Sequence, residues 1–235
     1  MKLILNELKK SFDKKEVLRG ASFTFETGKI YGLLGRNGAG KTTLFNCVNE
    51  DISIDGGSFE IEENGVRRPV CAEDIGYVLS TPVVPEFLTG REFLKFFIDI
   101  NRDKLRDEKS IDEYFDMMSI AAEDRDRLIK DYSHGMKNKM QLLVNFIANP
   151  GILLLDEPLT SFDVVVADEM KQLLRGMKQE HIIVFSTHIM ELALDLCDEI
   201  VILNEGVLTE MDKENMDNAA FKDKIIAALR GNENA

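Results

Sequence analysis

Residues Gly35–Thr42 read Gly-Arg-Asn-Gly-Ala-Gly-Lys-Thr, which is a glycine, four residues and then Gly-Lys-Thr. Backbone N–H groups can surround a polyanion only where no Cβ atom blocks the approach, and this gives the glycines of the segment a purpose. Lys41 adds a positive charge, and the hydroxyl of Thr42 is placed to bind Mg²⁺. The alternative is a glycine turn followed by a chance Lys-Thr pair, which average residue frequencies make rare. The segment therefore predicts a site for a polyphosphate.

A second candidate site follows the apolar run Gly151–Leu155, which reads as a strand buried on both faces and ends in Asp156-Glu157-Pro158. An open α/β sheet binds its ligand at the carboxyl ends of its strands. Because neighbouring side chains of a strand point to opposite sides, we expect Asp156 and Glu157 to do different jobs. One would hold Mg²⁺ through water, while the other polarises an attacking water. The alternative, a solvated acidic turn, fits poorly with the preceding aliphatic residues.

Three further segments follow the order of one known family. Tyr132–Lys137 resembles its signature motif, Thr160–Asp163 resembles its loop between two nucleotide sites, and Ser186–Glu191 resembles its switch segment. Together with the glycine-rich segment and the acidic segment described above, they make the chain resemble the nucleotide-binding subunit of ABC transporters along nearly its whole length. The functional interpretation of His188 rests on the whole segment Ser186–Glu191, since a lone histidine after a strand is more often a capping or packing residue. Of the other histidines, His134 lies inside the signature and His181 is expected at the surface, and neither is expected to be catalytic.

The resemblance implies the roles of individual residues. Two chains would sandwich two ATP molecules with Mg²⁺, and each ATP would contact the phosphate loop of one chain and the signature helix of the other. Glu157 would be the general base, His188 would contact the γ-phosphate, and Asp163 would lie in the loop between subunits. The implied ATP-binding residues are Phe12, Asn37, Gly38, Ala39, Gly40, Lys41, Thr42 and Thr43. The implied signature residues, which act on the partner's ATP, are Ser133, His134, Gly135 and Met136. The implied magnesium residues are Thr42, Asp156 and Ser80.

Two of these positions depart from the family pattern. Phe12 stands where the family usually has a tyrosine that stacks on adenine, and a phenyl ring offers the same face. Residue identity leaves a second interpretation open, an aromatic side chain in the core of a small β-sheet. Ser80 stands where family members commonly have a glutamine that contacts Mg²⁺ and the attacking water. Serine is shorter by two bonds, so contact with the metal would need a closer backbone or a bridging water.

Apolar patterns predict the elements that must position these groups. Ile30–Leu34 reads as a strand that leads into the phosphate loop, and a helix from Thr43 onward would place its N-terminus at the phosphate. Alternation in Lys2–Leu8, Ser22–Phe25 and Ser58–Ile61 predicts an antiparallel β-subdomain. Helical spacing of apolar residues from about residue 81 to about residue 131 predicts a helical subdomain. The expected fold class is α/β, a P-loop NTPase of ABC type with a mostly parallel core sheet flanked by helices.

The expected domain organisation is a single ABC ATPase domain over residues 1–235. Residues of about 1–80 and 150–235 would form the nucleotide-binding core with the β-subdomain, and about 81–149 the helical subdomain with the signature. Pro82–Leu88 would be a rigid apolar loop, either docked against a membrane partner or packed on its own helices. The later elements are expected to be a helix at Asp163–Lys178, a hairpin of Glu199–Leu203 with Val207–Glu210, and a last helix at Phe221–Leu229.

Composition narrows the location and the partners. The three cysteines are widely spaced and odd in number, which indicates reduced, mostly buried thiols in the cytosol. No stretch approaches the roughly 20 apolar residues of a membrane span, so any membrane function would need a separate chain. The resemblance implies that this partner is a transmembrane subunit, which would hold the chain at the inner face of the membrane. A second nucleotide-binding subunit, as a homodimer, is also expected. With 29 basic and 42 acidic residues the net charge is −13, which argues against nucleic acid as a partner.

Three other function classes fit the sequence less well than transport. A soluble ABC ATPase of translation or DNA repair would need a tandem unit, a coiled-coil insertion or a basic face, and none is visible. A GTPase would need an Asn-Lys-x-Asp motif, but Asn138-Lys139 continues with Met140-Gln141. A small-molecule kinase is disfavoured by the Ser133 signature. The residues of these motifs resemble those of exporters more than those of nutrient importers. The exporters in question carry drugs, bacteriocins and antimicrobial peptides, including phenol-soluble modulins.

Overall fold

The computed structural model describes residues 1–102, 105, 109–159, 162, 164–212 and 218–230. The strands are β1 (Lys2–Phe12), β2 (Lys15–Glu26), β3 (Ile30–Leu34), β4 (Gly56–Glu63), β5 (Val66–Arg68), β6 (Ile75–Val78), β7 (Ile152–Asp156), β8 (Ile182–Thr187), β9 (Glu199–Asn204) and β10 (Val207–Met211). The α-helices are α1 (Lys41–Val48), α2 (Gly90–Ile100), α3 (Ile111–Met117), α4 (His134–Ala148), α5 (Val164–Met177), α6 (Met190–Leu196) and α7 (Asn218–Arg230).

The antiparallel sheet has the strand order β2-β1-β4-β5. Its first hairpin is longer than the alternation predicted, because Phe12 pairs with Lys15 across a two-residue turn. Asp13 makes that turn with a left-handed φ of 51°, a conformation that aspartate adopts more readily than most residues. The hairpin therefore carries Phe12 to the end of the sheet, well away from the centre of its core.

The second sheet has six strands in the order β10-β9-β3-β8-β7-β6. β9, β3, β8, β7 and β6 are parallel, and only β10 runs antiparallel, against β9. All residues of β3, β7 and β8 are buried, as continuous apolar runs predict for strands covered on both faces. The expected α/β fold with a mostly parallel core sheet and an antiparallel β-subdomain is confirmed.

Alternate residues of β7 and β8 face two different hydrophobic cores. Leu153 and Leu155 of β7 belong to a cluster that includes the buried faces of α2, α3, α4 and α5. Ile152 and Leu154 belong to a cluster formed with α1 and the antiparallel sheet. Burying an aliphatic side chain of this size stabilises the fold by about 1.5–3 kcal/mol, so the strand ends that hold polar groups rest on a rigid platform.

The middle of the chain is helical, as expected. Thr89 and Ser110 start α2 and α3 with side chains that accept hydrogen bonds from the N–H groups of Glu92 and Glu113. Helix α4 starts at Ser133 in the same way and ends at Asn149, whose φ of 50° lies in the left-handed region. The boundaries of about 81 and 149 for a helical subdomain remain a prediction.

One expectation about a single residue is wrong. His181 is only 4% exposed, because its Nδ1 lies 2.6 Å from the carbonyl oxygen of Pro150 and ties the start of β8 to the start of β7. Among the thiols, which were expected to be mostly buried, Cys47 is buried, Cys197 is partly buried and Cys71 is exposed. The helix after the phosphate loop also begins at Lys41, two residues earlier than expected.

Candidate functional site

The phosphate loop connects β3 to α1 at the carboxyl edge of the core sheet. A Cβ atom at Gly35 would lie 2.8 Å from the carbonyl oxygen of Leu203, so the loop approaches β9 too closely for any other residue. Gly40 has a φ of 105° and immediately precedes α1, where a side chain would be strained. The first turn of α1 contains no acidic residue, so the N–H groups at its start are suited to an anion.

Lys41 is folded back over this loop. Its Nζ donates a hydrogen bond to the carbonyl oxygen of Gly35 at 2.8 Å, and the residue is only 7% exposed. Burial lowers the pKa of Lys41, while the charges of Glu157 and Asp156 act in the opposite direction. A cation held in this position, next to the start of a helix, is suited to the charge of a phosphate group.

Asp156 and Thr42 meet at the edge of the sheet. The hydroxyl of Thr42 donates to Asp156 Oδ2 at 2.7 Å, and the hydroxyl of Ser186 donates to Asp156 Oδ1 at 2.5 Å. Asp156 is 2% exposed, so two hydroxyl groups replace the water that a buried carboxylate loses. Hydroxyl and carboxylate oxygens are the ligands that Mg²⁺ prefers, with water and phosphate completing the octahedron. The described residues contain no group of three His, Cys, Asp or Glu side chains able to hold a metal ion.

Glu157 and His188 form the other polar pair of the site. Nδ1 of His188 lies 2.8 and 2.9 Å from the two carboxylate oxygens of Glu157, so the ring nitrogen donates its proton to the carboxylate. Glu157 itself has a φ of 50°, and its backbone N–H donates to the carbonyl and the hydroxyl of Ser186. The expected alternation of Asp156 and Glu157 is therefore wrong, because the left-handed backbone at Glu157 turns both carboxylates toward one cleft.

This cleft has a volume of about 360 Å³ and collects most of the predicted ATP-binding residues. Phe12, Lys15 and Val17 line it together with Ser80 and the two carboxylates. Phe12 is 47% exposed, with Lys10 Nζ 5.4 Å from its ring centre, so the interpretation as a core residue is wrong. The full lining is Phe12, Lys15, Val17, Asn37, Gly38, Gly40, Lys41, Thr42, Thr43, Ser80, Asp156 and Glu157. Ala39, also predicted to bind ATP, donates its N–H to Arg36 O within the loop.

The signature residues are not part of this cleft. Ser133 is the N-cap of α4, where its hydroxyl accepts from the N–H of Met136 at 3.2 Å. Ser133 and His134 are exposed, and Gly135 and Met136 are half-buried. Within the described residues, one chain thus carries two helix starts suited to an anion, α1 and α4, and only the first belongs to the cleft. Asp163, predicted in the loop between subunits, lies outside the described residues, as do Thr160 and Ser161.

Ser186 is a residue of the site that sequence reasoning missed. It holds Asp156 through its hydroxyl and Glu157 through its carbonyl, because β7 and β8 are parallel neighbours and pair Asp156 with Ser186. Its place at the end of an apolar strand, two residues before His188, was the available signal. Lys15 and Val17 were missed as well, since they reach the cleft from β2 rather than from any motif.

Known proteins are similar to this chain over most of its length. The family model for the ABC transporter matches residues 18–160, which is more than half of the chain. An uncharacterised ABC transporter ATP-binding protein of Methanocaldococcus jannaschii is 35% identical over 207 residues, covering 87% of this chain and 75% of that protein. A sulfate/thiosulfate import ATP-binding protein of Agrobacterium fabrum is 32% identical over 216 residues, covering 89% of this chain and 63% of that protein.

Solved structures agree on the fold. An ATP-binding subunit of an ABC transporter has a TM-score of 0.79 at 21% identity, covering 97% of this chain and all of that one. A dimeric ATP-binding cassette in a post-hydrolysis state, bound to ADP and inorganic phosphate, has a TM-score of 0.74 at 19% identity, covering 91% and 100%. Within the described residues, no helix is both long enough and apolar enough to cross a membrane. The chain belongs to the ABC transporter family, as a subunit that binds ATP with Mg²⁺ and hydrolyses it.

Proposed function

We propose that this chain powers a membrane transporter by closing and opening as a homodimer around two ATP molecules. The observation that carries the proposal is the separation of the two helix starts. Lys41 begins α1 inside the cleft, whereas Ser133 begins α4 on an exposed surface outside it. A second copy that presents its own Ser133 to the cleft would give each ATP an anion site on both sides.

Each side chain of the cleft would have its own task in hydrolysis. Glu157 would accept a proton from the attacking water, and His188, held by the Glu157 carboxylate, would contact the γ-phosphate. Lys41 would exchange its bond to the Gly35 carbonyl for the phosphates. Thr42 and Asp156 would hold Mg²⁺, the latter through water, and Ser80 would reach the metal through a bridging water. The metal would supply charge neutralisation on the phosphate oxygens.

A transmembrane subunit is the proposed partner, and its docking loop is Pro82–Leu88. Val83 and Phe87 are 72% and 80% exposed, and their apolar side chains are suited to a partner that excludes water. Val84 packs instead against the core below the helices, which gives the loop a fixed base. The chain would thereby be held at the inner face of the membrane as a peripheral subunit.

Export of drugs or of amphipathic, antimicrobial peptides is the proposed direction and substrate class. Its support is the wording Tyr-Ser-His-Gly-Met-Lys at residues 132–137 and Ser-Thr-His-Ile-Met-Glu at residues 186–191, which resembles exporters. The relatives include an import protein, so this part of the proposal rests on the motifs.

The Glu157→Gln variant tests the proposed mechanism. Glutamine is nearly isosteric with glutamate but cannot accept the proton, so ATP binding should persist while turnover falls by about 100-fold or more. Trapped ATP should then shift the chain to a dimer in size-exclusion chromatography with light scattering. Glu210→Gln, on the exposed edge of β10, removes the same charge away from the cleft and serves as the control.

Two outcomes would contradict the proposal. Turnover at the wild-type rate would remove Glu157 from the proton transfer. A Glu157→Gln variant that hydrolyses ATP slowly and binds ATP, but stays monomeric at all concentrations, would contradict the proposed dimer around two ATP molecules.

A further inference from the structure

Gln141 holds the loop that carries Ser80. It lies on α4, two turns after the Ser133 cap, and is 5% exposed. Its Nε2 donates to the carbonyl oxygen of Leu79 at 3.1 Å, and its Oε1 accepts from the N–H of Val83 at 2.8 Å. A single amide therefore satisfies one backbone acceptor and one backbone donor on either side of Ser80.

Apart from Val84, which packs against the core, the loop around these two contacts has little other support. Strand β6 ends at Val78, and residues 80–84 belong to no helix or strand. Within the described part of the chain, no backbone-to-backbone hydrogen bond joins residues 80–84 to another segment. Ser80 nevertheless lines the same cleft as Asp156 and Glu157. The position of Ser80 relative to the carboxylates thus depends on the side chain of Gln141.

The same face of α4 makes a second contact with the continuation of the loop. Lys137 precedes Gln141 by four residues, so the two side chains lie above one another on the helix. Lys137 forms an ion pair with Glu86, next to the exposed Phe87. One face of α4 is therefore bound to both ends of the segment that runs from the cleft to the exposed apolar loop.

We infer that Gln141 is a positioning residue that makes the Ser80 loop and the signature helix move as one unit. Any displacement of α4 that brings Ser133 toward a nucleotide would move Leu79 and Val83 with it, and would set Ser80 against the metal side of the cleft. The amide fits this task because it offers a donor and an acceptor at once without carrying a charge at any pH. This inference rests on the ATPase activity, and its Ser80 part rests on the magnesium role proposed above.

Gln141→Met tests it, since methionine fills a similar volume without either hydrogen-bonding group. The backbone groups of Leu79 and Val83 would lose their partner, and turnover should fall about 10- to 100-fold, as when residues behind a metal ligand are replaced. ATP binding without Mg²⁺ should stay within about twofold, because the phosphate loop is untouched. Hydrogen exchange at the Val83 amide should accelerate. Gln172→Met, an exposed glutamine on α5, is the matched control.

Gln141→Glu supplies a readout that a role in stability alone would not give. A protonated glutamic acid is a donor to Leu79 and an acceptor from Val83, like glutamine, whereas the carboxylate faces the Leu79 carbonyl without a proton. Burial raises the pKa of a carboxyl, so the ratio of variant to wild-type turnover should rise as the pH falls from about 8.5 to about 6. Lys137, on the same face of α4 as Gln141, is paired with Glu86 of the loop, so the two charges offset each other. Gln172→Glu is the control for a new acid elsewhere.

The inference is overturned by wild-type turnover in Gln141→Met, or by a Gln141→Glu ratio that does not change with pH. If Gln141→Met does not fold, the pH profile of Gln141→Glu decides alone. The proposed function fails differently, through the Glu157→Gln variant, because the Gln141 variants are always compared with a wild-type chain that turns over.

Discussion

Ser186 shows at the residue scale how a site can depend on a side chain to which its motif assigns no role. The sequence patterns identified Lys41, Thr42, Asp156 and Glu157 because phosphate loops and strand ends are local features. Ser186 lies 30 residues from Asp156, and only the pairing of β7 with β8 brings them together. Gln141 was missed for the same reason, since its partners are the backbone of a distant loop whose course no pattern predicts.

The three cysteines allow a test of local burial. Burial raises the pKa of Cys47 to about 11, so about one thiol in a thousand is ionised at pH 8. Burial also raises the pKa of Cys197. Because the thiolate is the nucleophile, iodoacetamide should modify the exposed Cys71 first, at least about tenfold faster than the other two.

Peptide mapping by mass spectrometry over a time course measures these rates. Cys71→Ser should remove the fast phase and leave the slow ones unchanged, and unfolding in urea should make all three thiols equal. Fast modification of Cys47 in the folded chain would mean that the core around α1 opens readily.

At the element scale, the predicted types of the main helices and strands agree with the structure, while several boundaries differ. β3, β7 and β8 were identifiable because both of their faces are buried and the sequence is continuously apolar. The extended hairpin of β1 and β2 was not, since its turn at Asp13-Lys14 lacks the glycine that usually marks one. The helix start at Lys41 was placed late because Gly40 takes the cap without a side chain.

The link between the antiparallel sheet and the core sheet yields a prediction about acid stability. Arg68 of β5 donates twice to Asp74, at 2.6 and 2.7 Å, just before β6 begins. The Arg68 guanidinium lowers the pKa of Asp74, so the carboxylate stabilises the fold above its unfolded pKa and ceases to do so as the pH falls through the folded value. Asp74→Asn should therefore lower the free energy of unfolding by about 1 kcal/mol at pH 7, and the difference should shrink only below about pH 4.

Urea unfolding curves at several pH values measure this difference, provided the slope with denaturant is unchanged. Asp99→Asn is the control, because its partner Arg102 is 76% exposed and the pair should contribute little. If the difference in free energy of unfolding between Asp74→Asn and the wild type grew as the pH fell, the stabilisation would come from another group.

At the scale of the whole molecule, variants at the starts of α1 and α4 should give separable defects if each start binds the phosphates of a different ATP, as proposed. Lys41→Ala should abolish measurable ATP affinity, because the residue lies in the cleft of its own chain. Ser133→Ala should leave ATP binding by the monomer within about twofold and block nucleotide-driven dimerisation, since Ser133 would act on the partner's ATP. Equilibrium binding of a fluorescent nucleotide, and light scattering in the Glu157→Gln background, measure the two effects.

The loss of a helix cap must be separated from the loss of a nucleotide contact. Ser133 accepts from Met136 N at 3.2 Å, and removing such a cap costs about 1 kcal/mol. Ser110→Ala removes an equivalent cap from α3, where Ser110 accepts from Glu113 N at 3.3 Å. A dimerisation defect in both variants, or a loss of monomer binding in Ser133→Ala equal to that of Lys41→Ala, would contradict the sandwich.

The backbone conformation of Glu157 lowers the stability of the fold but supports ATP hydrolysis. A glutamate with a φ of 50° occupies a conformation in which glycine or asparagine would be about 1 kcal/mol more stable. That turn is also what aims the carboxylate into the cleft and toward His188. Selection for heat resistance alone would therefore drive this position away from glutamate, and selection for ATP consumption would keep it. A lineage that lost its transport partner should lose Glu157 early and become a more robust, inert nucleotide-binding protein.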